Sequence, residues 1–390
     1  MIELIKSTFY KEEQTKNELI AFIKSASKLS LGKECEKFEI NFAKKQDRKY
    51  CIFFNSGSSA NLCLIQALLN LRRLQKKDLV GFSSLTWATN VMPLIQLGLR
   101  PIPIDVELET LNISSAKIAS INKRHPIKAL FITNLLGFCH DPDNIKKLCD
   151  SKDIILIEDN CESLGTIYKG IKLGNFGLAS TFSFFVGHHM STIEGGAVCT
   201  DDKELAQMLK IVRAHGWDRN LNKQDKKNLK KQHGTHNFYS NYTFYDLGYN
   251  TRPTEINGFL GNNQLKYLDE ILEKRNKNFL NLSKYVYKNL DLIPTKHKHI
   301  DFVSNFAMPI VCRSQSIHSK LLKKCKDKLE IRPIVGGNMI LQPFFKKYHP
   351  NLERLFKCPN AELIHRQGFY FGNNPELTKK ELDQIKLILT

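Results

Sequence analysis

Residues 51–74, CIFFNSGSSANLCLIQALLNLRRL, contain a short apolar run, a turn of small polar residues and a longer helical pattern. The run CIFF is typical of a buried strand, and Leu62, Ile65 and Leu69 fall on one face of the helix that follows. The alternation continues to about residue 200, with the apolar runs LVGFSS, RPIPIDV, KALFITNLLG, DIILIEDN, ASTFSFF and AVCT. Strands that alternate with helices predict an α/β fold built on a large, mixed but mostly parallel sheet.

The pattern changes after residue 255. A long helix is predicted over residues 255–290, followed by a strand-like NFAMPIV, a helical HSKLLKKCKDK and a closing helix TKKELDQIKLIL. Two amphipathic helices are expected near the amino terminus, around NELIAFIKSA and ECEKFEINFAKK. We therefore expect a large α/β domain over residues 1–255 and a smaller α+β domain over residues 256–390.

The composition of the 390 residues, 42% apolar and 25% charged, is that of an ordinary folded protein. No run approaches the roughly 18 apolar residues of a membrane helix, and the first residues lack the apolar stretch of a secretory signal. We expect a cytoplasmic protein with no membrane partner. The 10 cysteines form no CxxC pair and no cluster with histidine, so we expect reduced core residues and no metal site.

The chain is strongly basic, with 58 Lys and Arg against 39 Asp and Glu and a formal net charge of +19. Such a balance favours an anionic partner, which leaves open nucleic acid, a membrane surface or a phosphorylated small molecule. The lysines are spread along the chain, as on a solvated surface. The densest run, RNLNKQDKKNLKK at residues 219–231, is expected to be an exposed loop.

Polar motifs follow several of the predicted strands. In NSGSSAN, residues 55–61, small residues at a strand-to-helix turn are suited to binding an anion at the positive end of a helix, although they also make a good helix cap. Asp159 follows the strand DIILI, where a carboxylate can hold a heterocyclic nitrogen protonated or simply begin a surface helix. Trp87 could stack on a planar cofactor or lie in the core. His188 and His189 could be acid–base groups, ligands or surface residues.

Taken in order, these motifs resemble the sugar-modifying aminotransferase family (DegT/DnrJ/EryC1/StrS) of fold type I pyridoxal-phosphate enzymes. The resemblance runs from LGKECEKFE to AELIHRQGFYFGNN, and GYNTR at residues 248–252 is similar to a family element that reaches the cofactor of a partner subunit. It implies a homodimer with shared active sites. It also implies cofactor-binding residues: Gly57, Ser58 and Ser183 for the phosphate, Trp87 for stacking, Asp159 for the ring nitrogen, Glu162 near the ring hydroxyl, and Asn250 across the interface.

One position departs from the family pattern. His188 stands five residues after Ser183, where the family has its Schiff-base lysine, and no lysine occurs from Leu173 to Asp202. An imidazole cannot form a stable Schiff base, but it is a competent acid–base group near neutral pH. The exchange resembles the 3-dehydratase branch of the family. Only Cys199 lies between His188 and Arg252, so an iron–sulfur cluster, which usually takes four cysteines, is not expected.

The runs RAHGWDR at residues 213–219 and RPIVGGN at residues 332–338 resemble cluster-free dehydratases that act on GDP-linked sugars. The resemblance implies pyridoxal and pyridoxamine phosphate as cofactor, L-glutamate as amino donor, and removal of the C3 hydroxyl of a nucleotide-linked 4-keto-6-deoxy sugar for surface polysaccharide. His188 is the expected catalytic residue. Candidate substrate-binding residues are His215, Arg219, Arg252 and Arg332.

Two alternatives remain open at this point: an aminotransferase whose lysine has been replaced, and a nucleic-acid-binding descendant of the fold. No nucleic-acid recognition motif supports the second. The sequence also leaves open whether the sugar of the substrate is a hexose or a heptose, and whether its nucleotide is GDP or CDP.

Overall fold

The computed structural model describes the backbone of residues 1–390 and the side chains of residues 1–240, 242–352 and 354–390. The strands that precede residue 201 are β1 (Tyr50–Phe54), β2 (Leu79–Ser83), β3 (Arg100–Ile104), β4 (Ala129–Thr133), β5 (Ile155–Asp159), β6 (Ile167–Tyr168), β7 (Ile171–Lys172), β8 (Ala179–Ser183) and β9 (Gly196–Thr200). Within the described backbone they form a seven-stranded sheet in the order β1-β9-β8-β5-β4-β2-β3, and β6 pairs with β7 in a small hairpin.

Strand β9 runs against both of its neighbours, β1 and β8, and the other pairs of the large sheet are parallel. The mixed, mostly parallel sheet predicted from the sequence is confirmed. The carboxyl ends of β1, β2, β4, β5 and β8 therefore meet at one edge, which is where α/β proteins place their ligands.

The sheet is covered by helices on both faces. The helices of the chain are α1 (Glu12–Ser25), α2 (Lys33–Lys45), α3 (Gly57–Asn70), α4 (Met92–Gln96), α5 (Ser115–Arg124), α6 (Pro142–Ser151), α7 (Lys203–Arg213), α8 (Lys223–His233), α9 (Glu255–Leu265), α10 (Leu268–Val286), α11 (Gln315–Cys325), α12 (Pro343–Tyr348), α13 (Leu352–Leu355), α14 (Pro359–Gln367) and α15 (Lys379–Leu389). Helices α3 and α7 pack on one face, and α5, α6 and α10 pack on the other. This double burial explains why the strands are almost continuously apolar.

A second, antiparallel sheet follows residue 255, with β10 (Ala307–Val311), β11 (Ile331–Pro333) and β12 (Gly368–Gly372) in the order β10-β12-β11. Its hydrophobic core is continuous with one face of the large sheet. Phe345 of α12, for example, packs on Phe82 of β2 with ring centroids 6.0 Å apart. The domain boundary at residue 255 stays a prediction.

A cluster of phenylalanines lies under the start of the loop that carries His188. Phe184, just after β8, is fully buried, and its ring contacts Phe38, Phe42 and Phe53 at centroid distances of 5.0 to 5.9 Å. Phe38 and Phe42 belong to α2, so one of the two predicted amino-terminal helices supports this loop. Both of those helices are confirmed, as α1 and α2.

Two predictions of local structure were wrong. Residues 219–231 lie mostly at the surface, with Leu221 buried, and residues 223–233 form helix α8 instead of a loop. Asn222 caps this helix by accepting a hydrogen bond from the Asp225 N–H, and Gly234 ends it in the left-handed conformation. The helix predicted over residues 255–290 is two helices, α9 and α10. Its break contains no Pro or Gly; instead the buried Gln264 side chain exchanges hydrogen bonds with the backbone of Tyr10, which turns the chain there.

Within the described residues, no helix is both long and apolar enough to cross a bilayer. All ten cysteines are free thiols, and each except Cys161 is buried.

Candidate active site

A cavity of about 330 Å³ opens at the carboxyl edge of the large sheet. Its walls come from the turn before α3, the loop after β2, the ends of β4, β5 and β8, and the small sheet. The cavity brings together most of the site residues predicted from the sequence, namely Gly57, Ser58, Trp87, Asp159, Glu162, Ser183, His188 and Arg332. No lysine is found among the described residues that line it.

The turn before α3 is built to hold an anion. Ser56 caps the helix by accepting a hydrogen bond from the Ser59 N–H at 3.0 Å, and the first turn contains no acidic residue. The N–H groups of Gly57 and Ser58 lie in that first turn, where a helix has no acceptor of its own to offer. A Cβ atom on Gly57 would lie 2.7 Å from Cβ of Ser183, so only glycine lets the two segments approach this closely.

Asp159 ends β5 at the floor of the cavity and is 4% exposed. Its Oδ2 accepts hydrogen bonds from the side-chain amides of Asn61, at 3.0 Å, and Asn90, at 2.6 Å. Its Oδ1 accepts one from the Cys161 N–H at 2.9 Å. These donors come from α3, from the turn after β2 and from its own loop, so the carboxylate is fixed from three directions.

Glu162 lies beside Asp159 and is buried. The pKa of Glu162 is raised to about 8, chiefly by burial; a hydrogen bond from the Leu136 N–H at 2.9 Å opposes the shift, and the nearby Asp159 charge contributes to it. At neutral pH the side chain is therefore mostly a neutral carboxylic acid. Such a group can donate a hydrogen bond to an oxygen in the cavity, which an ionised carboxylate cannot do.

His188 lies in the loop between β8 and β9. Its ring stands edge-to-face against Phe306, with centroids 5.3 Å apart, and against Phe185 at 6.1 Å. Nδ1 is buried without a hydrogen-bond partner among the described residues, and His188 lines the cavity. The backbone on either side is fixed, because the Phe184 N–H donates to the Gly195 carbonyl at 2.9 Å and closes the loop.

The environment of His188 keeps its imidazole neutral. Burial, and secondly the charge of the nearby Arg275, lower the pKa of His188 to about 4. Sequence reasoning assigned it an ordinary pKa near 6.5, since nothing in the sequence indicates that the ring is desolvated or that Arg275 lies nearby. The side chain is therefore a proton acceptor at physiological pH, and it becomes a donor only after it has taken up a proton.

The small sheet contributes Arg332 and Tyr370. The Arg332 guanidinium pairs with Glu330 at 2.9 Å, and Glu330 in turn accepts a hydrogen bond from the Leu4 N–H at 2.8 Å. Burial raises the pKa of Tyr370 to about 12, so its hydroxyl stays protonated. Leu4 and Tyr370 both line the cavity. Trp87 also lines the cavity and is 53% exposed.

The other predicted site residues lie outside this cavity. Asn250 and Arg252 are exposed on the chain surface, where the Arg252 Nε donates to the Asn250 side-chain oxygen at 2.9 Å. The backbone N–H of His215 donates to the Tyr249 carbonyl, and Arg219 stacks over the Trp217 ring at 3.8 Å. We call His215, Trp217, Arg219, Asn250 and Arg252 the outer cluster. The structure does not bring it to the cavity of the same chain.

The profile of the DegT/DnrJ/EryC1/StrS aminotransferase family matches residues 10–389. The chain belongs to this family. The DegT/DnrJ/EryC1/StrS enzymes depend on pyridoxal phosphate and modify sugars, and their fold type I architecture is the α/β arrangement described above. The predicted family and fold class are both confirmed.

Among relatives in the DegT/DnrJ/EryC1/StrS family, GDP-4-keto-6-deoxy-D-mannose 3-dehydratase of Escherichia coli O55:H7 is 36% identical over 373 residues, which are 92% of each chain. A crystal structure of GDP-4-keto-6-deoxymannose-3-dehydratase with a trapped PLP–glutamate geminal diamine matches with a TM-score of 0.88 and 31% identity, and covers 100% of both chains. A mutant of that enzyme with bound GDP-perosamine matches equally well, with a TM-score of 0.88 and 31% identity over 100% of both chains.

Sequence reasoning missed several residues of the cavity. Asn90, Leu4, Glu194, Phe306 and Tyr370 line it but were not singled out. Asn90 carried a usable signal, because it is a polar residue shortly after a strand end, as Asp159 is. Leu4, Phe306 and Tyr370 carried none, since only the packing of the small sheet against the large one brings them there.

Proposed function

We propose that this protein is a pyridoxal-phosphate- and glutamate-dependent 3-dehydratase that removes the C3 hydroxyl of a GDP-linked 4-keto-6-deoxy sugar. It would act in the cytoplasm, in the synthesis of surface polysaccharide. The observation that carries the proposal is that the cavity is lined by the imidazole of His188, and that no lysine is among the described residues that line it. The likeness to GDP-4-keto-6-deoxy-D-mannose 3-dehydratase supports the choice of substrate.

The residues of the cavity fit pyridoxal phosphate. The phosphate suits the first turn of α3 and Ser183, where Gly57 leaves room that a side chain would fill. Asp159 suits the ring nitrogen, because its fixed Oδ2 offers an anionic acceptor, and Trp87 offers a ring for stacking. Glu162, as a neutral acid, is suited to donating to the ring oxygen. When bound, this cofactor supplies an electron sink and, after loading from glutamate, an amino group.

His188 is the residue that we assign to proton transfer. Because its imidazole is neutral, Nε2 would serve as the base that takes up a proton from a cofactor bound in the cavity. The same nitrogen then delivers a proton to the C3 hydroxyl of the sugar, which departs as water. An imidazole cannot form a Schiff base, and we propose that the substrate C4 therefore stays unprotonated long enough for the C3–O bond to break.

The overall reaction balances without a further oxidant. The sugar exchanges C3–OH for C3–H and is reduced by two electrons, which come from the oxidation of glutamate to 2-oxoglutarate and ammonia. Arg332 is a candidate for holding the glutamate carboxylate or the nucleotide diphosphate, because guanidinium groups bind both anions in a bidentate way.

We further propose that the protein is a homodimer in which the outer cluster completes the cavity of the second copy. Two arginines and a histidine on an exposed surface suit the anionic groups of a nucleotide sugar. Asn250 would then meet the cofactor phosphate of the second copy, as the family resemblance implies.

The test is an assay with GDP-4-keto-6-deoxymannose, L-glutamate and pyridoxal phosphate, with the products identified by mass spectrometry. We expect a 3-deoxy-4-keto sugar together with stoichiometric 2-oxoglutarate and ammonia. A GDP-4-amino sugar without release of ammonia would instead identify an aminotransferase. A parallel reaction with a CDP-linked or heptose-derived substrate tests the nucleotide and the sugar.

A further inference from the structure

Asp159 is a buried carboxylate without a cationic partner. Among the described residues it forms no ion pair with lysine, arginine or histidine, and its three donors are two side-chain amides and one backbone N–H. A buried carboxylate is normally paired or fully hydrogen-bonded. Here the protein supplies hydrogen bonds but leaves the charge of Asp159 uncompensated, facing the cavity.

The Asn90 amide that donates to Asp159 belongs to a longer chain of hydrogen bonds. The Asn90 side-chain oxygen accepts from the Thr86 hydroxyl at 2.9 Å, and the Thr86 hydroxyl lies 2.6 Å from the Thr133 hydroxyl. A hydroxyl has one proton to donate. Because Thr86 gives its proton to Asn90, Thr133 must be the donor to Thr86. The chain therefore runs one way, from Thr133 through Thr86 and Asn90 to Asp159.

The Asp159 carboxylate accepts from the Asn90 amide, so the NH₂ group of Asn90 faces Asp159 and its oxygen faces Thr86. This orientation gives the chain of hydrogen bonds its direction. All of the side chains involved are buried, with Thr86 at 0%, Asn90 at 1% and Thr133 at 4% exposure. In such a dry environment each bond is stronger than in water and polarises the next one.

The chain also links the two groups that contact the flat ring of a bound cofactor. Asn90 donates its backbone N–H to the Trp87 carbonyl at 3.1 Å, so the turn that presents Trp87 also holds Asp159. Thr133 ends β4 and is the register partner of Asp159, which ends β5. The positions of the stacking ring and of the carboxylate are thus set relative to each other by one buried network.

We infer that Thr86 and Asn90 are positioning residues that align the Asp159 carboxylate with the ring nitrogen of the cofactor and so keep that nitrogen protonated. The inference rests on the proposed cofactor but not on the proposed dehydration. If it holds, loss of the Thr86 hydroxyl frees the Asn90 amide to turn and weakens the hold of Asp159 on the ring.

The experiment compares Thr86→Val, which removes the donor and keeps the shape, with Thr86→Ser, which keeps the donor. Thr181→Val is the matched control. Thr181 is fully buried, its backbone pairs with Asp159 from the opposite side, and its hydroxyl has no partner among the described residues. For each variant we would measure the Kd for pyridoxamine phosphate, and the ¹⁵N chemical shift of the bound ring nitrogen as a function of pH.

We expect Thr86→Val to weaken binding about five- to tenfold, the size of one hydrogen bond to a charged network, and the ring nitrogen to lose its proton at lower pH. Thr86→Ser and Thr181→Val should match the wild type. A wild-type Kd and an unchanged nitrogen titration in Thr86→Val would overturn the inference. If the wild type itself fails to bind pyridoxamine phosphate, the proposed cofactor is wrong instead.

A purely structural role would lower the unfolding midpoint of the apoprotein without moving the nitrogen titration, and that result would also overturn the inference. If Thr86→Val does not fold, Asn90→Ser takes its place. A serine side chain at position 90 is too short to reach Asp159 from the same backbone. We therefore expect the same weakening of pyridoxamine phosphate binding and the same change in the ring-nitrogen titration.

Discussion

The backbone carbonyl of His188 accepts a hydrogen bond from the guanidinium of Arg275 at 3.1 Å, and the Arg275 side chain is buried. Arg275 also donates to the carbonyls of Phe306 and Asn373, so it joins the His188 loop to the small sheet. Its charge is the second cause, after burial, of the low pKa of His188. The residue therefore has both a structural and an electrostatic effect on the proposed proton acceptor.

Replacing Arg275 should move the pH profile of the reaction. Removal of the charge in Arg275→Gln raises the pKa of His188 from about 4, so the acid limb of kcat/KM should move up by roughly half a unit to one unit. Arg275→Lys also loses the hydrogen-bond geometry of the guanidinium but keeps the positive charge. The acid limb of its kcat/KM profile should therefore stay near that of the wild type. Profiles measured from pH 4 to 8 check this. Superimposable limbs in the two variants would contradict the electrostatic effect.

Replacing Glu162 should change the pH dependence of stability. The folded-state pKa of Glu162, about 8, lies above its unfolded value, so its neutral form stabilises the fold below about pH 4.5, and this contribution is lost as the pH rises through 8. Glu162→Gln keeps a neutral group at every pH. The difference in the free energy of unfolding between Glu162→Gln and the wild type should therefore shift in favour of the variant by on the order of a few kcal/mol from pH 5 to pH 9.

Urea unfolding of the apoprotein at pH 5, 7 and 9 measures this gain. The matched control is Glu36→Gln, the same exchange at an exposed position on α2, which should show no such trend. A constant difference between Glu162→Gln and the wild type across this range would show that Glu162 is ionised in the folded protein.

Replacing His188 by lysine should separate cofactor attachment from dehydration. We expect His188→Lys to lose at least about a hundredfold in dehydration, because a positioned acid–base group contributes that much or more. The new amine should bond covalently to pyridoxal phosphate, which a shifted absorbance and borohydride trapping would reveal. Dehydration at the wild-type rate in this variant would show that the imidazole is not the proton-transfer group.

Replacing Gly57 by alanine should weaken cofactor binding at least about tenfold, because the new Cβ would lie 2.7 Å from Cβ of Ser183 and push apart the two segments that we propose to bind the phosphate. Gly170→Ala is the control. Gly170 has a φ of +75° and open space around it, so its replacement costs about 1 kcal/mol of stability without touching the cavity. Titration with pyridoxal phosphate distinguishes the two variants. If Gly57→Ala bound pyridoxal phosphate as tightly as Gly170→Ala, a phosphate role for the turn at Gly57 would be excluded.

Mixing two inactive variants should restore activity if the outer cluster serves the second copy. His188→Asn and Arg252→Ala carry their defects on different parts of a shared site, so a hybrid dimer contains one intact site. After subunit exchange in dilute denaturant, about a quarter of the wild-type activity should return. No recovery, with heterodimers verified by native mass spectrometry, would place Arg252 and His188 of one chain in the same site. An Arg252→Ala variant that is active by itself would place Arg252 outside any site.

Much of the fold could be predicted because the parallel strands are buried on both faces. CIFF and DIILI are apolar throughout, so each is readable as a strand, and the polar residue that follows is readable as lying at the ligand edge. Asp159 was found in this way, whereas Ser183 came from the family resemblance. The lysine-rich helix α8 was misread because its charge masked two helix signals, the cap at Asn222 and the glycine at position 234.

The rest of the site depends on contacts between distant parts of the chain. The Leu4 N–H bonds to Glu330 across 326 positions of sequence, and this bond places both Leu4 and Arg332 at the cavity. The low pKa of His188 likewise depends on Arg275 and on the depth of burial. No local pattern encodes such pairs, so their roles become visible only when the chain is folded.

The loop between β8 and β9 carries His188 on a support that does not involve its side chain. Backbone bonds between Phe184 and Gly195 and between Thr192 and Phe184 close the loop, and the phenylalanine cluster anchors its start. The bonds that close the loop therefore do not depend on the side chain at position 188, although that side chain packs against Phe306 and Phe185. A single codon change at this position could redirect the chemistry of an ancestor while its fold stayed intact, which makes new reactivity easy to reach by mutation.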